Sequence, residues 1–274
     1  MIRRILALAS TEFTMSLRNR WVLIAIILMA VFSLVLTFAG SAPTGALGVD
    51  LLTVAVASMT TLSVYLLPLL ALLLAFDGIA GEIERGGLAL LLTYPVSRAE
   101  VLLGKFTAHL LTLTLAVAIG FGLAGSLAWA TGGASAESAS GLFRLGWSSV
   151  LLGATFLAVG YATSAMARSA GAAAGLAIGI WLVFVVIYDL ALLGTLVADK
   201  GGTFTTHVFP FALAANPADA FRVFNLTMTE SVALTSGIGG TGNGVPFWAV
   251  LGSMLLWPVL ALALAHGLLK RIEP

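Results

Sequence analysis

Six long apolar runs constrain the fold of this 274-residue chain more than any other feature of its sequence. Each is close to the ~20 residues that an α-helix needs to cross the hydrocarbon of a bilayer. The runs cover residues 21–40, 51–76, 106–130, 146–167, 171–197 and 247–268. None of them alternates apolar and polar residues as membrane-barrel strands do. The sequence therefore predicts an all-α integral membrane protein, with six transmembrane helices in one domain over residues 1–274.

The composition excludes several other classes of protein. Hydrophobic residues make up 60% of the chain and charged residues 9%, whereas a soluble domain carries about 25% charged residues. A formal net charge of +1 excludes a nucleic-acid binder that works through bulk charge. Because the chain has no cysteine, it contains no disulfide, thiolate metal site or thiol nucleophile.

The distribution of basic residues predicts the orientation in the membrane. The fourth and fifth runs are separated only by residues 168–170, where we expect a tight hairpin. An even number of spans then places both termini on one side. That side carries ten basic residues: Arg3, Arg4, Arg18, Arg20, Arg85, Arg98, Lys105, Arg168, Lys270 and Arg271. The other side carries Arg144, Lys200 and Arg222. Basic residues accumulate on the cytoplasmic side of membrane proteins, so we predict that both termini are cytoplasmic.

The first 20 residues predict a helix that lies in the inner membrane interface. Ile2, Leu6, Ala9, Phe13 and Leu17 recur at spacings of four, three, four and four, which places them on one helical stripe. Most of the charged residues of this arm lie off that stripe, as in amphipathic interfacial helices. The alternative is a disordered basic tail.

The inner loop, residues 77–105, combines seven charged side chains with a leucine-rich stretch. The charges place the loop in water, yet its apolar side chains must pack against something. We expect a short helix over roughly residues 87–94, which Pro95 would end. One interpretation is a reentrant turn packed on its own bundle. The other is a transverse helix that inserts into a cytosolic partner.

The outer segment, residues 198–246, contains a second helical signal. Asn216 is a good N-cap, Pro217 fits the first helical position, and Asp219 lies in the first turn. This helix is either a lid that rests on the bundle or a docking platform for an external partner. The candidate platform residues are Asn216, Asp219, Phe221, Arg222 and Phe224.

The fifth run contains two further candidates. Asp189 is an acidic residue within a span, where a carboxylate is costly. It is interpreted either as a pathway or gate residue or as a hydrogen-bonded interface group. Gly171, Gly175 and Gly179 form a small-residue ridge that allows two helices to approach closely. The ridge suits either a homodimer contact or packing against the fourth span.

The inner loop also carries a resemblance to a known family. The stretch GEIERGGLALLLTYPVSRAEVLLGK, residues 81–105, is similar to the signature loop of type-2 ABC exporter permeases. Those chains share an acidic-x-acidic-Arg-Gly stretch, a leucine-rich turn, a proline, a Ser-Arg pair and a Gly-Lys that opens the third span. The six spans, the N-terminal interfacial helix and the long outer segment match the family as well.

In that family the loop carries a coupling helix, which sits in a groove of a separate ATPase subunit. The resemblance implies polar anchors at Glu82, Glu84 and Arg85. It implies an inserted face formed by Leu88, Leu91, Leu92 and Tyr94, and it adds Pro95 and Arg98 to the coupling residues. It also implies a second copy of the chain, ATP and Mg bound by the partner ATPase, no cofactor on this chain and a location in the bacterial inner membrane.

Within the family, the resemblance extends to permeases that serve nitrous-oxide reductase maturation. It rests on the inner loop, on NPADAFRVFNLT at residues 216–227 and on the C-terminal LLKRIEP. It implies a periplasmic β-helical partner and a role in assembling the copper–sulfur centre of that enzyme.

The sequence contains no ATPase motif, so the chain is predicted to be a non-catalytic subunit. The nearest stretch, Gly104-Lys105-Phe106, lacks both the earlier glycine and the Ser/Thr after lysine that a phosphate loop needs. The seven methionines are scattered, which indicates packing residues and no metal site. The alternatives are an ABC permease for a lipid, drug or ion, a secondary transporter, a membrane enzyme and a passive assembly scaffold.

Overall fold

A computed structural model describes residues 1–39, 50–227 and 245–272. Helices dominate these ranges, and no strand occurs within them. This confirms the prediction of an all-α membrane protein. The end of the first predicted span, at Gly40, and residues 228–244 of the outer segment lie outside the described residues.

Eleven helices are described, and their bounds are as follows. They are α1 (Ile2–Arg18), α2 (Arg20–Ala39), α3 (Leu51–Ala75), α4 (Asp77–Glu84), α5 (Gly87–Leu91), α6 (Arg98–Gly132), α7 (Ala136–Met166), α8 (Ala170–Asp199), α9 (Phe204–Ala215), α10 (Pro217–Thr227) and α11 (Phe247–Lys270). The middle of α8, Leu182–Ile187, and the start of α9, Phe204–Val208, are π-helical.

Five helical segments of the described structure are long and apolar enough to cross a bilayer. The first consists of α3 and α4 together, and the others are α6, α7, α8 and α11. Helices α1 and α2 meet at a bend of 74° and satisfy the same criterion as a pair, which gives up to six. The fourth and fifth runs form separate helices, because α7 ends at Met166 and α8 begins at Ala170.

Met1 and the end of α11 lie at the same end of the bundle, which we call the inner end after the predicted orientation. The amino group of Met1 lies 3.8 Å from a carboxylate oxygen of Glu100 at the start of α6. Nearby, Arg98 donates hydrogen bonds from Nη1 to the carbonyl oxygens of Leu269 (2.7 Å) and Lys270 (2.8 Å) at the end of α11. This arrangement agrees with an even number of crossings.

Helix α7 lies at the centre of the bundle and packs against both α3 and α11. Its side chains include Phe156 and Tyr161, which are almost completely buried. Gly160 allows the close approach to α3, because a Cβ atom there would lie 2.7 Å from Cβ of Ala75 and 3.4 Å from Cα of Leu72. Such tight contacts through small residues supply the van der Waals packing that joins helices in lipid.

Gly160→Val is expected to lower the thermal stability of the purified protein. The added methyl groups would overlap the α3 backbone, and overpacking of this kind costs about 1–3 kcal/mol. Gly122→Val is the matched control, because no atom lies within 4 Å of a Cβ atom added at Gly122. Thermal unfolding in detergent measures both variants. Equal melting temperatures for the two would show that the α3–α7 contact is looser than described.

Candidate functional site

The inner loop presents an apolar surface to solvent at the inner end of the bundle. We call residues 90–95 the inner tip. Leu90 is 66% exposed and Tyr94 64% exposed, and Pro95 is exposed beside them. Gly86, with φ of 70°, permits the reversal between α4 and α5 that carries the chain to this tip.

The exposed face differs from the predicted one. Leu88 is only 5% exposed and packs within the core of its own chain, so its prediction as part of the inserted face is wrong. Leu91 and Leu92 are half-buried, and Leu92 packs against the same core. The turn at Gly86 directs the first turn of α5 inward, which leaves Leu90 and Tyr94 as the outward-facing apolar residues.

The charged residues predicted as anchors for a partner are largely engaged within the chain. Glu84 accepts a hydrogen bond from the backbone N–H of Ala170 at 2.9 Å. Its carboxylate therefore caps the positive end of the α8 dipole. Arg98 is half-buried and holds the end of α11, as described above. Arg85, paired with Asp77 at 3.1 Å, remains 60% exposed at the surface.

A buried serine holds the break between α3 and α4. The hydroxyl of Ser164, on α7, accepts hydrogen bonds from the backbone N–H groups of Ile79 (3.0 Å) and Ala80 (2.9 Å). It also donates one to the carbonyl oxygen of Phe76. These bonds satisfy backbone groups that a helix break leaves without partners. Sequence reasoning missed Ser164, because a serine inside an apolar run carries no signal of its partners.

At the outer end, the structure brings Asp189 together with residues of the predicted outer helix. Arg222 donates from Nη2 to Asp189 at 2.8 Å and from Nη1 to Asp219 at 3.0 Å. Asn216 donates from Nδ2 to Asp219 at 3.0 Å and to the carbonyl oxygen of Phe184 at 2.7 Å, within the π-helical part of α8. We call Asp189, Asn216, Asp219 and Arg222 the outer ion cluster. Asp189 is therefore a hydrogen-bonded group between α8 and α10.

The predicted docking platform is wrong, because four of its five residues are buried in their own chain. Asn216, Asp219, Phe221 and Phe224 are each less than 5% exposed, since α10 packs against α3, α7 and α11. Burial raises the pKa of Asp219, and the neighbouring Asp189 adds to the increase. The helix itself is confirmed: it begins at Pro217, and Asn216 Oδ1 accepts a hydrogen bond from the Ala218 N–H at 3.0 Å.

The glycine ridge of α8 faces away from the rest of the chain. For Gly171, Gly175 and Gly179, no described atom lies within 4 Å of the position of an added Cβ atom. Packing of this ridge against the fourth span is therefore wrong, and the homodimer contact stays a prediction. In α8 the buried side chains of the described structure are Ala173, Ala177 and Val185.

An open cavity of about 270 Å³ lies where α8, the end of α9 and α11 meet. It is lined by Val183, Phe184, Tyr188, Ala215, Asn216 and Trp257. Its polar side chains have partners: Tyr188 donates to the Ala212 carbonyl at 2.7 Å, and Trp257 to that of Ala215 at 2.9 Å. Within residues 1–39, 50–227 and 245–272, no group of three or more His, Cys, Asp or Glu residues could hold a metal ion.

A family model described as "ABC-2 family transporter protein" matches residues 6–273. A protein of Pseudomonas aeruginosa named "Probable ABC transporter permease protein NosY" is 42% identical over 272 residues, which cover 96% of this chain and 97% of the relative. A protein of the same name from Stutzerimonas stutzeri is 40% identical over 279 residues, with the same coverage of both chains.

Proposed function

Because the chain belongs to the ABC-2 family of transporter permeases, we propose that it converts ATP hydrolysis by a separate cytosolic ATPase into movement of its own spanning helices. The inner tip carries this proposal. Leu90 and Tyr94 expose apolar surface at the inner end, and short helical elements with such anchors bind in the grooves of partner proteins. The chain itself would not hydrolyse ATP.

Three contacts link the segment that carries the tip to the spanning helices. Helix α4 continues α3 across the break that Ser164 of α7 holds. Glu84 contacts the first turn of α8, and Arg98 contacts the last turn of α11. A displacement of the tip by the ATPase is therefore passed to α3, α7, α8 and α11. This arrangement supports rigid-body rocking of the bundle.

The face of α8 that carries the glycine ridge has no described part of the chain packed against it. This is an argument for a second copy of the chain as partner. The glycine ridge offers the close approach that joins helices in lipid. Two permeases, each with an ATPase below its inner tip, would then rock against each other. The ATP and Mg belong to the ATPase subunits.

The outer half of α8 would carry this movement to the outer segment. The outer ion cluster joins α8 to α10, so a shift of α8 also moves α10. We propose that the outer segment passes the movement to a periplasmic β-helical partner, and that the complex serves the assembly of the copper–sulfur centre of nitrous-oxide reductase. The resemblance of residues 81–105 and 216–227 and the names of the two relatives support this role.

Co-purification with an ABC ATPase from the same genome tests the proposal. We expect a complex with two copies of each subunit that hydrolyses ATP in lipid nanodiscs. Expression of the chain in P. aeruginosa lacking its NosY relative should restore nitrous-oxide consumption. A chain that never retains an ATPase would refute the coupling function. Retention without restored consumption would point to another cargo, such as a lipid, drug or ion.

Glu84→Ala is expected to uncouple α8 without releasing the ATPase. The natural chain has no cysteine, so Gly194→Cys in α8 carries a single spin label in each copy. We expect an ATP-dependent change in the distance between the two labels, and Glu84→Ala should remove at least half of it. Glu84→Gln is the matched control, because its amide oxygen still accepts from Ala170. An unchanged distance response in Glu84→Ala would contradict the proposed link.

A further inference from the structure

Lys105, on α6, is a buried cation between two other helices. Its side chain is 6% exposed. The ammonium group contacts the carboxylate of Glu12 on α1 and lies 3.1 Å from that of Glu82 on α4. Both carboxylates are themselves mostly buried, at 20% and 26% exposed. One side chain therefore ties the N-terminal helix to the helix that carries the inner tip.

The neighbouring Gly104 shows how closely α1 lies against α6. A Cβ atom at Gly104 would lie 2.7 Å from Cβ of Leu8 and 3.4 Å from the carbonyl oxygen of Ile5. On the same side of α1, Ala9 is 3% and Ser16 8% exposed. Helix α1 is thus packed along the bundle by one face, and Glu12 lies within that face.

The composition of this cluster indicates a role beyond stability. Burying charged groups is costly, and well-packed apolar residues often replace a buried ion pair without loss of stability. Ionic contacts of this kind instead fix one relative position of the elements that they join. Here they join α1 to α4, although the two helices are far apart in sequence.

We propose that Lys105 is a positioning residue, which fastens α1 to α4 through Glu12 and Glu82 so that α1 moves together with the inner tip. The inference rests on the proposed coupling function. Under this proposal α1 is part of the coupling apparatus. The basic side chains of α1 at the membrane interface then move in each cycle of ATP hydrolysis. The two neighbouring residues then have different roles. Gly104 allows the close approach of α1 to α6, and Lys105 fixes the position of α1 through its contact with Glu12.

A labelling experiment tests the attachment of α1 without any ATPase. In the cysteine-free chain, Ala9→Cys places a thiol on the packed face of α1, and Thr11→Cys places one on its exposed face. Each is labelled with a membrane-impermeant maleimide. Glu12→Gln removes the ion pair between α1 and Lys105, whereas Lys105 keeps its ion pair with Glu82, and we expect the variant to accelerate labelling of Ala9→Cys at least fivefold. Labelling of Thr11→Cys should not change.

Two more variants complete the labelling test. Lys105→Met should accelerate labelling of Ala9→Cys as strongly as Glu12→Gln does, and Lys105→Arg should keep it slow, because the cation is retained. If Ala9→Cys stays protected in Glu12→Gln and in a folded Lys105→Met, apolar packing alone holds α1 and the inference is overturned.

A distance measurement in the assembled complex tests the shared movement. Spin labels at Thr11→Cys on α1 and Ala89→Cys on α5 should give the same distance with and without trapped ATP. Glu12→Gln should broaden that distance distribution. A distance that changes with ATP in the presence of Lys105 would overturn the inference. Failure of the natural chain to retain an ATPase would instead count against the proposed function, and the labelling result would be unaffected.

Discussion

Tyr94→Asp is expected to abolish co-purification of the ATPase while the chain still inserts and folds. Tyr94 is 64% exposed at the inner tip, so an aspartate there costs little in the free chain. In a docked tip it would place an unpaired charge in an apolar groove. Central aromatic anchors of interfaces contribute about 2 kcal/mol or more, which is about thirtyfold in affinity. Pull-down through a tag on the permease measures the loss.

Leu90→Asp should have the same effect, because Leu90 is equally exposed beside Tyr94. The matched control is Thr11→Asp, which adds the same charge to an exposed position on α1. We expect it to retain the ATPase. If both tip variants co-purified with the ATPase as well as the natural chain does, the assignment of the inner tip as the docking element would fail.

Arg222→Met is expected to give the largest loss of stability among substitutions at the outer end. It would leave the carboxylates of Asp189 and Asp219 facing each other without their cation. Breaking a buried ion pair costs about 3–5 kcal/mol. The Arg222 side chain is 21% exposed, and solvent screening places the expected loss near the lower end of that range, at about 3 kcal/mol. Thermal unfolding of the detergent-solubilised protein measures it.

A variant without charges in the outer ion cluster provides the control for the loss of stability in Arg222→Met. The triple variant Asp189→Asn, Asp219→Asn and Arg222→Met removes all charges and should recover most of the melting temperature. Arg18→Met, at an exposed arginine of α1, should leave it nearly unchanged. A loss of stability in the triple variant as large as in Arg222→Met would show that the arginine acts through packing and not through its charge.

The sequence correctly predicted the features that depend on the length of its apolar runs and on local preferences for starting a helix. The apolar runs predicted the helical membrane class, and the residue types at 216, 217 and 219 predicted the start of α10. The sequence did not predict which side chains are buried by parts of the chain that lie far away along it. The sequence leaves open whether α10 is a lid or a docking platform, because no local pattern reveals that α3, α7 and α11 pack against it.

The inner loop shows the same limit at a finer scale. Helix α5 has only five residues, too few for periodicity to distinguish the inward Leu88 from the outward Leu90. The family resemblance located the loop but did not show which anchors bind within the chain. The sequence places Lys105 on the inner side, in the Gly-Lys pair that opens the third span, but it does not reveal the partners of its ammonium group, because Glu12 and Glu82 lie 93 and 23 residues away.

The pairing of Asp189 with Arg222 has a consequence for biosynthesis. Arg222 follows Asp189 by 33 residues, which a ribosome adds in about 2–7 s at ordinary rates of synthesis. During that interval Asp189 lacks the cation that it contacts in the folded chain. The charge of Asp189 is therefore neutralised only after α10 has been made and has packed back against α8, and a chain that stops before Arg222 keeps an unpaired carboxylate in α8.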